Sequence, residues 1–389
     1  MSQPIPKKIV ESKPELGSKT FNTLLVDGSN ILELSSLGDK TVSSNGNRIG
    51  GIFQFLLQIK IMLKKANFRY VYVFWDGENS GEHRFILYEN YKQNRDKNYT
   101  VPDGLSEYMR EFNMTLKHMQ NYIYGGRKKV EKSDEQKKEK EIFYEQRDIV
   151  MKCLEELFVR QVLCDKVEAD DLIAYYIKNK KPNERIVIMS NDRDLTQLIS
   201  DDVIVYVQQK KKFINKKNHV EEIGYHHSNV LLKKIICGDS SDSIKGIKGV
   251  GETTLLKNFP EIKERNVTLD EIIEKARLIN EERVSKKKKP LQWATNIVER
   301  ITDGVQGDKI YEINKKIIDL TNPLMTDDAK ELMDSLMYAP LDPEDRSYEN
   351  LYKILCDAGV DELSDPTKFS SFFIEYAYLI DKEKKKSLI

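Results

Sequence analysis

The sequence predicts an α/β fold: a mainly parallel central sheet with helices on both faces, continued by a mostly helical C-terminal part. Three observations point there. Short apolar runs at Phe21 to Val26, Tyr70 to Trp75 and Arg185 to Met189 have the length and the β-branched or aromatic content of strands. They alternate with stretches of helical periodicity, the pattern of βαβ units. Each run also stops close to a carboxylate: Asp27, Asp76, and Asp192 with Asp194.

In chain order, residues 1–20 contain three prolines and scattered lysines and read as a flexible tail. The first strand ends at Asp27-Gly28-Ser29-Asn30. A helix from about Gly50 to Lys65 presents Ile52, Phe53, Leu56, Leu57, Ile59 and Leu63 on one face. The second strand ends at Asp76-Gly77. The stretch from Tyr88 through Lys97 interleaves tyrosines with Lys92, Arg95 and Lys97, a composition suited to phosphate contact and base stacking and equally to an exposed polar helix. Gly125 through Glu141 has almost no apolar residues and reads as a mobile excursion between two helices.

Val167-Glu168-Ala169-Asp170-Asp171 then opens an amphipathic helix carrying Leu172, Ile173, Tyr176 and Ile177. Taken alone, Asp170 and Asp171 are helix-capping residues and each Asp after a strand is a turn residue. Taken together, seven carboxylates (Asp27, Asp76, Glu168, Asp170, Asp171, Asp192 and Asp194) converge where open parallel sheets bind ligands, beyond the carboxyl ends of the strands. Like charges so close cannot all ionise unaided. Hard divalent cations with all-oxygen ligands, Mg²⁺ or Mn²⁺, are the simplest remedy, and a pair about 4 Å apart is the standard device for phosphodiester hydrolysis.

After the third strand, Val203 to Val207 and the lysines Lys210, Lys211 and Lys212 read as a β-ribbon with a basic tip. A helix from Val230 to Cys237 breaks at Gly238-Asp239-Ser240-Ser241-Asp242. The run from Ile244 to Leu256 places Gly246, Gly249 and Gly251 beside Lys245 and Lys248, a turn whose bare backbone N–H groups suit a phosphate. The lysine tract Lys286 to Lys289 ends at Pro290 and so sits in a loop, where its partner is a nucleic-acid backbone or simply water. Leu351, Tyr352, Ile354, Leu355, Phe369, Phe372, Phe373 and Tyr376 supply helical faces for a second, smaller core.

Across its 389 residues the chain balances 63 basic against 63 acidic side chains, which argues against indiscriminate electrostatic binding. Four cysteines, widely spaced, match no zinc-ligand pattern and read as free thiols. No run is long enough for a signal peptide or a membrane span, so a cytoplasmic protein is expected.

The motifs Asp27-Gly28-Ser29-Asn30, Trp75-Asp76-Gly77, Tyr91-Lys92-x-x-Arg95, Glu168-Ala169-Asp170-Asp171, Ser190-x-Asp192-x-Asp194, Gly238-Asp239-x-x-Asp242 and Gly246-Ile247-x-Gly249-Val250-Gly251 occur in that order. Over about residues 21–260 the set resembles the structure-specific 5′-nucleases, meaning flap endonucleases and the 5′-exonuclease domains of bacterial DNA polymerases. The overall cast is closest to the phage-type ribonuclease H that removes RNA primers. The resemblance implies a PIN-like nuclease core over 21–229 with a helical arch at about 84–157, and a helical domain over 230–389 holding a helix-three-turn-helix at about 230–260. It implies one metal on Asp27, Asp76, Glu168 and Asp170, and a second on Asp171, Asp192, Asp194 and Asp242 with Asp239 close by. Lys92 and Arg95 would grip the scissile phosphate, and Tyr91 would stack on a base. Lys245, Gly246, Lys248, Gly249, Val250 and Gly251 would hold duplex DNA, with K⁺ as a further ion.

The expected activity is Mg²⁺-dependent 5′→3′ exonuclease and flap endonuclease cleavage of flapped, nicked or RNA-primed DNA, by a monomer acting in replication. A sliding clamp and a single-strand-binding protein are the expected partners. Two alternatives stay open at this point: a PIN-type ribonuclease on single-stranded RNA, against which Gly246–Gly251 speaks, and a non-catalytic DNA-structure-binding adaptor, against which the full carboxylate set speaks. The long stretch from Lys97 to Cys153 leaves a threaded arch and an open groove both possible, and Arg265 to Asp308 has no assignable role.

Overall fold

The computed structural model describes residues 21–44, 46–88, 91–92, 133–300, 309–341 and 346–384. Its centre is a six-stranded sheet in the order β3-β2-β1-β4-β5-β6. The strands are β1 (Thr23–Asp27), β2 (Tyr70–Asp76), β3 (Arg160–Cys164), β4 (Ile186–Met189), β5 (Val203–Val207) and β6 (Lys212–Ile214). The first five run parallel and β6 returns antiparallel to β5, making the ribbon expected from the sequence. The strand at Arg160–Cys164 was not legible, because its polar Arg-Gln start at the sheet edge lacks the apolar run of a central strand.

Side chains alternate between the two faces as the pleat demands. Leu24, Val26, Val71, Val73, Trp75, Val187 and Met189 point into one core, with helices α1 (Gly28–Gly38), α2 (Gly50–Lys65) and α4 (Asp134–Glu156) packed over it; a short helix, α3 (Glu82–Leu87), lies between α2 and α4 in the chain. Leu25, Tyr72, Phe74, Ile186, Ile188 and Val205 point into the opposite core, against α5 (Ala169–Lys178).

Two expectations are corrected here. Asp134 to Glu141 belong to a helix: Ser133 and Gln136 form a reciprocal capping box, and Val150, Cys153 and Leu154 anchor the far end in the core. A cap at one end and packing at the other carry a polar first half that composition alone reads as loop. Residues 125–132 lie outside the described residues.

The last third does not form a core of its own. Helices α13 (Tyr348–Ala358) and α14 (Pro366–Lys384) complete the first core instead: Phe372 lies 5.3 Å from Phe53 between ring centroids, and the Tyr376 hydroxyl donates to the Leu56 carbonyl at 2.7 Å.

A separate core does exist, built from the middle of the chain. It joins α7 (Val230–Cys237), α8 (Glu252–Asn258), α9 (Leu269–Ser285) and α10 (Gln292–Glu299) through Ile236, Val250, Leu255, Phe259, Ile272 and Ile297. The remaining helices are α6 (His219–Ile223), α11 (Lys309–Ile318) and α12 (Asp327–Leu336). No helix of the described residues is long and apolar enough to cross a membrane.

Candidate active site

Parallel pairing in register sets Asp27 beside Phe74, so β1 and β2 end side by side and bring Asp27 and Asp76 to the same sheet edge. Asp27 caps α1, accepting from the Asn30 amide at 3.1 Å and from the Ser190 hydroxyl at 2.7 Å. Asp76 accepts from the Ala169 amide at 3.0 Å. It thereby caps α5 from another strand, which leaves Glu168, the N-cap residue, with its carboxylate free of capping duty. The turn after β2 must be tight: a Cβ on Gly77 would fall 1.7 Å from the Cys164 carbonyl oxygen.

Beyond β4, Asp192 accepts from the Asp194 amide at 2.8 Å, an Asx turn that aims both acids at the same edge. Asn191 donates to the Asn30 side chain at 3.0 Å through its backbone and accepts from the Gln209 amide at 2.7 Å, tying β4 to β1 and to the ribbon turn. On the helical side, β7 (Gly238–Asp239) pairs with β8 (Ile244–Lys245), and Asp194, Asp239 and Asp242 each offer an oxygen within 4.8 Å of the others.

The electrostatics show one shared acidic pool. Burial, then repulsion from Asp76, lifts Asp27 to about 7, with Asp192 adding to it and the Ser190 and Asn30 hydrogen bonds working against it. Burial and then Asp192, Asp27, Glu168 and Asp76 hold Asp170 well above the usual carboxylate range. Asp194 rises to about 7 through burial and Asp192, despite Lys234. Asp239 goes the other way: burial opposes ionisation, but Lys234 and Ser241 outweigh it and hold the carboxyl low.

Protein cations sit among these acids. The Lys234 ammonium, buried on α7, contacts Asp194 and lies 2.5 Å from Asp239. Lys92 reaches Glu168 at 2.6 Å, while its backbone amide donates to the Asp242 carbonyl at 2.8 Å. An all-oxygen donor set in which burial and neighbouring carboxylates raise Asp27, Asp170 and Asp194, and which recruits lysines, fits hard divalent cations. Asp194, Asp239 and Asp242 lie close enough to hold one cation, and Asp27, Asp76, Glu168, Asp170 and Asp192 belong to the same electrostatic pool.

Three expected site residues are placed elsewhere. Asp171 is fully buried with both oxygens taken, by Arg84 at 2.6 and 2.9 Å and by the Leu324 amide at 2.9 Å. Adjacent helix positions point about 100° apart, and here Asp170 faces Asp27 and Asp192 while Asp171 faces Arg84. Tyr91 is 2% exposed and packs with Ile86, Ile244 and Leu324, its hydroxyl donating to Glu168 at 2.9 Å, so its ring is not presented to a base. The Val250 side chain is core.

Lys245 and Lys248 are exposed on the glycine turn, and Gly249 has φ +76°. Gly246 lets β7 and β8 approach, since a Cβ there would lie 2.1 Å from the Cys237 carbonyl carbon. Gly251 precedes α8 with open space around it. Lys210 and Lys211 are exposed in the ribbon turn, and Lys212 pairs with Glu222 at 2.7 Å. Arg95 and Lys97 lie outside the described residues.

Two residues of the site were missed. Arg84 donates to Glu168 at 2.8 Å as well as to Asp171, and its Nε donates to the Ile317 carbonyl at 2.8 Å. Lys234 is the other. Arg84 is followed by Phe85-Ile86-Leu87 and Lys234 by Ile235-Ile236, so each cation sits against an apolar run, which is the signal that could have found them.

Residues 22–224 match the family described as 5′-3′ exonuclease, N-terminal resolvase-like domain. The chain belongs to the 5′-3′ exonuclease family. A 5′-3′ exonuclease of Buchnera aphidicola is 29% identical over 248 residues, covering 62% of this chain and 71% of that protein. A Mycoplasmopsis pulmonis 5′-3′ exonuclease is 38% identical over 99 residues, 24% of this chain and 33% of its own length. DNA polymerase I of Bacillus subtilis is 31% identical over 136 residues, 33% of this chain and 16% of the polymerase. Against the latter two, the chain therefore spans a third or less of its relative.

Among solved structures, the zinc-bound phage T5 5′-exonuclease aligns with a TM-score of 0.55 at 17% identity, over 87% of this chain and 98% of that one. The phage T5 flap endonuclease in a pseudo-enzyme–product complex with DNA and metal ions gives 0.54 at 18% identity, over 88% and 100%. These likenesses share the fold. Family membership places the chain among the 5′-3′ exonucleases.

Proposed function

We propose that the protein hydrolyses phosphodiester bonds near 5′ ends on duplex DNA as a Mg²⁺-dependent 5′→3′ exonuclease and flap endonuclease, with Mn²⁺ able to substitute. The observation that carries this reading is the buried acidic pool: Asp27, Asp170 and Asp194 are pushed up mainly by burial and by neighbouring carboxylates. Two divalent cations bound there would supply a water of lowered pKa and charge stabilisation at the leaving oxygen. Asp27, Asp76, Glu168 and Asp170 hold the first position; Asp192, Asp194 and Asp242, with Asp239, hold the second. Lys92, tethered by its amide to Asp242, can turn its ammonium from Glu168 to the scissile phosphate, with Arg95 as a second grip. Arg84 fixes Glu168 from below, and Tyr91 steadies the same carboxylate.

The glycine turn with Lys245 and Lys248 holds the duplex backbone, with K⁺ on its carbonyls as part of the same proposal. The basic ribbon of Lys210, Lys211 and Lys212 borders the crevice through the Asn191–Gln209 bond. Primer removal at replication forks, RNA-primed substrates, clamp and single-strand-binding partners, a monomeric state and a cytoplasmic location belong to this proposal as well, as does the division into a nuclease core and a helical C-terminal domain.

The test is a nicked duplex with a 5′-labelled single-stranded flap, with and without Mg²⁺. A metal-dependent labelled fragment of flap length is expected. No cleavage alongside tight binding would overturn the catalytic reading.

A further inference from the structure

The hairpin of α9 and α10 is built onto the glycine turn. Ile272, Ala276 and Ile297 share a core with Val250 and Leu255, and the Asn296 side chain donates to the Lys248 carbonyl at 2.8 Å. Within the hairpin, Asn280 accepts from the Leu291 amide at 2.7 Å and donates to the Thr295 hydroxyl at 3.0 Å.

Lys286 to Lys289 form its tip, all exposed. The tip has a defined shape. The Lys287 amide donates to the Val284 carbonyl at 2.9 Å, the Lys288 amide to the Arg283 carbonyl at 2.8 Å, and Arg283 Nε to the Lys289 carbonyl at 2.9 Å. Lys286 pairs with Glu282 at 2.5 Å, whereas Lys287, Lys288 and Lys289 form no ion pair among the described residues. Holding these charges in one fixed loop is repulsive, and a polyanion relieves that repulsion.

The distance is bounded by the chain. Four helical residues from Asn296 to Gln292 rise about 6 Å, and the next three residues span at most ~11 Å, so Lys289 lies within roughly 20 Å of the Lys248 carbonyl. At about 3.4 Å per base pair this is at most roughly six pairs along a duplex.

We propose that the α9–α10 hairpin is a second duplex-DNA contact, its lysine tip resting on the phosphate backbone about half a turn beyond the glycine turn and lengthening the footprint on that arm. This rests on the nuclease reading above.

The experiment uses the full chain carrying Asp170→Asn, to suppress turnover, and compares it with the same chain also carrying Lys286→Gln, Lys287→Asn, Lys288→Gln and Lys289→Gln. Anisotropy titrations use nicked flap substrates whose downstream duplex is either short, about 5 base pairs, or long, about 20, across a salt series. The expected result is about tenfold weaker binding to the long arm, unchanged binding to the short arm, and a log–log salt slope flatter by about 2 to 3 on the long arm only. Equal affinities of the two proteins for the long arm, or the same loss on both arms, would overturn the proposal. A parent that binds neither arm would overturn the nuclease reading itself.

Discussion

Replacing Lys234 with Met removes the ammonium that bridges Asp194 and Asp239 while keeping the volume of the stem. Burial opposes the ammonium, but the two carboxylates outweigh it and hold its pKa above the ordinary lysine value. Deleting one partner of a buried, hydrogen-bonded ion cluster costs about 3–5 kcal/mol, because the acids left behind are neither solvated nor paired. In EDTA the variant should lose stability on that scale, read as a fall in the midpoint of urea unfolding with the slope unchanged.

Metal should reverse this. A cation at a hundred times its dissociation constant contributes about 2.7 kcal/mol, and the variant no longer has an ammonium competing for the site. Wild type gains from the metal as well, so at saturating Mg²⁺ the gap should narrow by the ratio of the two affinities, about 1.4 kcal/mol for a site ten times tighter in the variant, and Mn²⁺ titration by calorimetry should show tighter binding to the variant. An equal loss with and without metal would refute the reasoning, for it would make Lys234 a structural ion pair with no cation to replace it.

Three further outcomes follow from the geometry. Asp170→Asn should nearly abolish cleavage and leave DNA binding measurable, whereas Asp171→Asn should destabilise the fold by about 2 kcal/mol, because Arg84 loses one of its two carboxylates and keeps Glu168, yet retain turnover in folded protein; the reverse ranking in a flap assay would restore Asp171 as a ligand. Because the folded-state pKa values of Asp27 and Asp194 are raised to about 7, their contribution to metal-free stability is fully present below about 4 and is lost as pH rises through 7. Relative to Asp27→Asn, wild type in EDTA should therefore weaken from pH 5 to 8, and Mg²⁺ should bind with proton release; a gap that does not move with pH would contradict the shared pool. Gly246→Ala should cost about 2 kcal/mol or more and weaken duplex binding, since its Cβ meets backbone rather than a movable side chain; wild-type stability in that variant would show that the β7–β8 contact opens freely.

Much of the sheet was legible because β1, β2, β4 and β5 are continuous apolar runs buried on both faces, and burial on both faces leaves little ambiguity. The polar edge strand β3 and the polar half of α4 were not, since an edge position and a distant anchor relax the local pattern. The fate of α13 and α14 shows the same limit: their apolar faces announce a core but not which one, and the hydrophobic effect has no address.

By itself the sequence determined the buried central strands, the acids that end them and the glycines that permit close backbone approach, because these follow from local composition and spacing. Only the tertiary structure decided which acids face one another. Asp170 and Asp171 are neighbours of the same type, yet the helix turns one toward Asp27 and Asp192 and the other onto Arg84. The same packing drew Lys234 and Lys92 in among the carboxylates, from helix and turn positions whose sequence says nothing of what lies opposite. Charge pairing across long sequence separations is a property of the assembled sheet edge, where burial makes each partner's identity count.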